Sequence, residues 1–183
     1  ASGPHPAGTD DQPGLPRSPM LLIALEQILS TPFEGFVTLA VFCLAIAAAL
    51  TFHEFSHALS ATLLGDSTPR QQGRLSLNPA AHIEPVGAVM LLIVGFGWAR
   101  PVPVDPRYLR SDEHSGMAVV SAAGPLSNVL VATVAAIPIN AGMVSPGVVG
   151  FTLFRGQADD VAAYAIGSLV FWNLLIAAFN LIP

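Results

Sequence analysis

Residues 35–65 read GFVTLAVFCLAIAAALTFHEFSHALSATLLG. From Gly35 to Phe52 the run carries no charge, and it resumes from Phe55 to Gly65. As one helix its 31 residues would extend about 46 Å, beyond the roughly 30 Å hydrocarbon core of a bilayer. His53, Glu54 and His57 interrupt it. Ionisable groups inside such a run are costly and are usually functional. Positions i and i+4 of a helix share a face, so His53 and His57 can grip one small cation through imidazole nitrogens. Glu54 is about 100° round the helix from His53 and can reach a water held there. The spacing is the H-E-x-x-H pattern of zinc hydrolases, with two ligands and a general base. The plainer alternative is a polar cluster satisfied inside a helix bundle.

Composition points the same way. Of 183 residues, 52% are apolar and 10% charged, against about a quarter charged in a soluble domain. The basic residues are all arginine, the net charge is -5 and no basic block occurs, which argues against nucleic acid as a partner. Cys43 is the single cysteine, so no internal disulfide and no cysteine-based zinc cluster can form. It reads as a small buried apolar side chain.

Residues 1–19, rich in proline and glycine, read as a disordered tail, and residues 20–183 as one membrane-embedded domain. Met20 to Thr31 is a short apolar segment, either an interfacial helix or the start of a span. Thr31-Pro32 should break it, and Gly65-Asp66 should end the long run. Pro85 to Ala99 is apolar but holds only 15 residues, too few for a clean span; it suits a re-entrant, strand-like hairpin. Gly116 to Asn140 and Val161 to Pro183 are two further spans. The expected fold is an all-α membrane protein, a polytopic helical bundle with a short re-entrant β-like hairpin. Five of the seven arginines (Arg70, Arg74, Arg100, Arg107, Arg110) lie between the first and second spans. By the positive-inside rule that segment faces the cytoplasm.

A catalytic zinc usually takes three protein ligands, and the third is not evident. His5, His82, Glu84, Asp105 and His114 are present, but no spacing singles one out. Asn128 and Asn180 are polar groups within spans. Asn128 reads as interhelical packing, worth about 1 kcal/mol. Asn180 fits equally packing or donation to an oxyanion.

These residues resemble the site-2 protease family of intramembrane zinc metalloproteases, in its compact bacterial branch without a PDZ domain. His53-Glu54-Phe55-Ser56-His57-Ala58 is similar to the zinc motif of that family. Gly73-Arg74-Leu75-Ser76-Leu77-Asn78-Pro79, His82-Ile83-Glu84-Pro85-Val86-Gly87 and Gly97-Trp98-Ala99-Arg100-Pro101-Val102-Pro103-Val104 resemble its loop and hairpin region. Ala123-Gly124-Pro125-Leu126-Ser127-Asn128 is similar to its Gly-x-x-x-Asn span, and Phe179-Asn180-Leu181-Ile182-Pro183 to the start of its Asn-Leu-x-Pro…Leu-Asp-Gly motif. The resemblance covers residues 34–183.

It implies a Zn²⁺-dependent endopeptidase of the bacterial cell membrane, cutting a protein substrate in or near a transmembrane segment; the arginine distribution would set the site nearer the cytoplasmic side. His53 and His57 would be ligands, Glu54 the base, and Asn180 an oxyanion or substrate-positioning group. The third ligand of the family, an aspartate, would fall beyond Pro183; either the sequence breaks off within the motif, which is the expected case, or the protein lacks that ligand. A reading from another class is a non-catalytic membrane protein that binds a transmembrane partner on the same fold. A soluble zinc protease is the weakest reading, because the composition opposes it.

Overall fold

A computed structural model of the chain describes residues 25–26, 28–110, 112–146 and 160–182. The proposed tail at 1–19 lies outside them, and so does half of the Met20–Thr31 segment. Three helices are long and apolar enough to cross a membrane: α1 (Pro32–Leu63), α3 (Glu113–Ala135, continued by a turn at Ile137–Asn140) and α4 (Val161–Leu181). A ten-residue helix, α2 (Pro85–Val94), lies between the first two.

The helix limits follow from local chemistry. Pro32 opens α1 at the first helical position, where its missing N–H is no loss. The end is a Schellman closure: Asp66 N–H donates to Ala61 O at 3.0 Å and Gly65 N–H to Thr62 O at 3.1 Å. Gly65 takes the required left-handed turn at φ 114°. Aspartates cap α3 and α4, with Asp112 accepting from Ser115 N–H and Asp160 from Ala163 N–H, both at 3.0 Å.

Each long helix packs on the other two. α3 runs antiparallel to α1, since Asn128 meets Ala49 and His53 while Val120 meets His57. α4 turns back again, with Asn173 against Asn128. Small residues (Gly35, Ala45, Ala49, Ala58, Ala61) line the buried face of α1 and allow close approach. Phe42, the largest fully buried side chain among the described residues, meets the Trp172 ring edge-on at 5.3 Å. Phe36, Leu44, Leu63, Leu126, Leu130 and Phe179 are exposed. An apolar exterior of this kind suits surrounding lipid.

The Pro85–Ala99 segment is re-entrant but not β-like. Among the described residues there is no strand, only one antiparallel bridge, Ile83 to Ala99. Arg100 N–H donates to His82 O at 2.8 Å, so the chain returns to its point of departure. Between these ends Pro85 starts α2 and Gly95, at φ 79°, stops it. At membrane depth a helix satisfies its own backbone groups, which an unpaired hairpin cannot do. Gly87 and Gly97 make the turn-back tight: a Cβ on Gly97 would collide with Gly87 O.

Cys43 departs from its expected burial. It is exposed and lines an apolar cavity of about 410 Å³ between α1, α2 and Trp98.

Candidate metal centre

α1 places His53 and His57 one turn apart on the face that meets α3. Their Nε2 atoms are 3.0 Å apart. His57 Nδ1 is 2.7 Å from Val120 O, a carbonyl that can only accept, so Nδ1 carries the proton. His53 Nδ1 is 2.6 Å from Asn128 Oδ1. The amide of Asn128 is oriented by Ala49 O, 3.0 Å from its Nδ2; Oδ1 therefore faces His53 and receives its proton. Both rings thus turn bare Nε2 lone pairs toward each other. At 3.0 Å two lone pairs repel unless a proton or a cation lies between them.

A zinc ion fits this donor set. Zn–N distances of about 2.0–2.1 Å at a tetrahedral angle put two nitrogens about 3.3 Å apart, within a few tenths of an ångström of the spacing here. Fixing Nδ1–H by a backbone carbonyl and an amide is how proteins commonly orient histidine ligands. Gly124 supplies the room: a Cβ there would come within 2.7 Å of His53 Cε1 and collide with His57 Nε2. The close approach at Gly124 is thus by imidazoles.

Glu54 is buried, 9% exposed. The groups acting on its carboxylate include the Val102 backbone N–H and the Arg74 guanidinium. Arg74 is itself buried and donates from Nη1 to Ala81 O at 2.5 Å and more weakly to Arg100 O at 3.4 Å. It ties the 74–82 loop to the returning segment. Burial and the neighbouring Arg100 charge hold the Arg74 pKa below its ordinary value. Asp66, fully buried, joins the same platform by accepting from Thr68 N–H at 2.9 Å and from Asp105 N–H at 2.8 Å.

The remaining candidates do not join the pair. Among the described residues no group of three or more His, Cys, Asp or Glu could hold a metal. His82 is buried, its Nε2 donating to Ser76 O at 2.7 Å and its Nδ1 without a partner. Glu84 precedes α2 at its N-cap position and lines the apolar cavity. Asp105 pairs with Arg107 at 2.6 Å, and His114 is exposed on the first turn of α3. His5 lies outside the described residues. Asn180 is exposed, with Nδ2 donating to Ile176 O at 2.9 Å. The residue whose part in the site the sequence did not reveal is Asn128. It was legible only as a polar group in a span; its three partners give it the second role.

Two imidazoles with paired free Nε2 atoms, and a buried carboxylate on the residue that follows His53, all on a membrane-length helix, define a candidate zinc site of hydrolytic type. The chain is 35% identical over 147 residues to the protein named "Putative zinc metalloprotease YwhC" of Bacillus subtilis (strain 168), a match covering 76% of this chain. The chain covers 61% of that relative's length. No family model matches the chain, and no solved structure matches it.

Proposed function

We propose that the protein is an intramembrane zinc endopeptidase of the site-2 protease type, hydrolysing a peptide bond in or near a transmembrane segment of a protein substrate. The observation that carries this reading is the His53–His57 pair, its Nε2 lone pairs held 3.0 Å apart on a membrane-length helix. The similarity to a protein named as a zinc metalloprotease supports the metal and the reaction class.

His53 and His57 would hold the ion through Nε2. Zinc, when bound, supplies Lewis acidity to a carbonyl and lowers the pKa of water toward neutrality. Glu54 takes the proton of the attacking water on a carboxylate oxygen and later passes it to the leaving amine. A substrate helix must unwind locally first, because its carbonyls are tied in backbone bonds. Asn180, as an oxyanion or substrate-positioning group, and a third ligand beyond Pro183 rest on the resemblance alone. The arginines between α1 and α3 support a cytoplasmic position for the His57 end of α1.

In full-length protein, Glu54→Gln should abolish cleavage while zinc content and fold persist. Undiminished cleavage would refute Glu54 as the base.

The lack of a third metal-binding side chain beside the pair, among the described residues, favours a second reading. There the fold binds a transmembrane partner and does no chemistry. Metal analysis of purified full-length protein separates the two. About one zinc per chain, lost on His53→Ala or His57→Ala, is the enzyme's signature. A stable metal-free protein is the binder's.

A further inference from the structure

We propose that Asn173, on α4, is a positioning residue for His53, acting through the amide of Asn128. The inference deepens the zinc reading of the pair and rests on it. Asn173 is fully buried, as is Asn128. Its Nδ2 donates to Leu169 O at 2.8 Å, which leaves its Oδ1 facing α3. Asn128 Nδ2 donates to that Oδ1 at 2.8 Å and to Ala49 O at 3.0 Å. Both protons of the amide are then used, and Asn128 Oδ1 is left to accept from His53 Nδ1 at 2.6 Å. The donor direction is continuous from His53 through Asn128 to Asn173.

Reversing the Asn128 amide exposes what Asn173 decides. Oδ1 would then face two acceptors, Ala49 O and Asn173 Oδ1, and Nδ2 would face His53 Nδ1. The ring would have to carry its proton on Nε2, and the lone pair directed at His57 would vanish. Asn173 is one of two groups that penalise this reversal. His57 is set separately, by Val120 O, so the effect belongs to His53 alone. A pair of asparagines serving only as glue between helices would be indifferent to which amide atom meets the histidine.

The test is ¹⁵N NMR of histidine rings in metal-free full-length protein in detergent micelles, comparing wild type with Asn173→Leu, Asn173→Ser and Asn173→Asp. The serine hydroxyl can still bond Leu169 O but is too short to reach Asn128, and it serves if leucine prevents folding. The aspartate keeps an acceptor oxygen toward Asn128. The expected result is His53 protonated at Nδ1 in wild type and Asn173→Asp, and a mixture of tautomers in the leucine or serine variant. Zinc affinity, read by chelator competition with zinc alone, should drop about tenfold in the same variants and hold in Asn173→Asp. An unchanged His53 tautomer in the leucine and serine variants overturns the proposal. A wild type that takes up no zinc would instead defeat the metal reading, while the tautomer comparison still decides the role of Asn173.

Discussion

Gly124 faces His53 so closely that a methyl group on its Cα would stand 2.7 Å from the ring's Cε1. Gly124→Ala should therefore push the two imidazoles out of register. Overpacking of this kind typically costs about 1–3 kcal/mol. The expected outcome is a folded but less stable protein that retains well under one zinc per chain, read by thermal unfolding in detergent and by metal analysis.

Asn128→Leu tests the amide that holds His53. It removes the acceptor for His53 Nδ1 and both donors of the side chain. An unsatisfied buried N–H costs about 1–3 kcal/mol. Loss of a partner that orients a histidine ligand lowers metal affinity about 10–100-fold. Chelator competition should show that drop, with the helical signal preserved.

Asp66 fastens the end of α1 to the segment that returns toward α3. Asp66→Ala strands the Thr68 and Asp105 amide protons, each of which bonds a carboxylate oxygen. The expected loss is about 3 kcal/mol. Limited proteolysis should cut the variant between residues 100 and 110 under conditions that leave wild type intact.

Acid should weaken the platform beside the site. The Arg107 side chain bonded to Asp105 holds its carboxyl below the usual carboxylate range, and the Ser115 backbone N–H does the same for Asp112. A carboxyl lowered in the folded state stabilises fully above its unfolded pKa, about 4. That contribution fades as pH falls through the folded values. Unfolding midpoints should thus decline below about pH 4. Asn caps a helix as well as Asp does without titrating, so Asp112→Asn should show a shallower decline. Both aspartates are solvent-screened, and the effect should shrink further in high salt.

The spans were legible because an uncharged run of membrane length has few alternatives, and Thr31-Pro32 and Gly65 marked the limits of α1 through backbone rules alone. His53, Glu54 and His57 were legible because i and i+4 spacing fixes a shared face in any helix. Asn128 was harder. An asparagine in a span looks the same whether it glues helices or orients a ligand, and only the atoms opposite it distinguish the two. Pro85–Ala99 was read as strand-like because it is too short for a clean span, yet ten of its residues form a helix that Gly95 ends, and Gly87 and Gly97 serve close approach. Burial of Asp66 could not be foreseen, since its two amide donors come from residues 68 and 105.

The Ile83–Ala99 bridge has a bearing on sidedness. A chain that leaves and re-enters at one spot makes a detour and does not change compartments. Among the described residues, α1, α3 and α4 are the three helices long and apolar enough to cross. With α3 antiparallel to α1 and α4 turned back again, the carboxyl ends of α1 and α4 lie at the same end of the bundle. His57 and Asn180, more than a hundred positions apart along the chain, therefore stand toward the same end of the bundle.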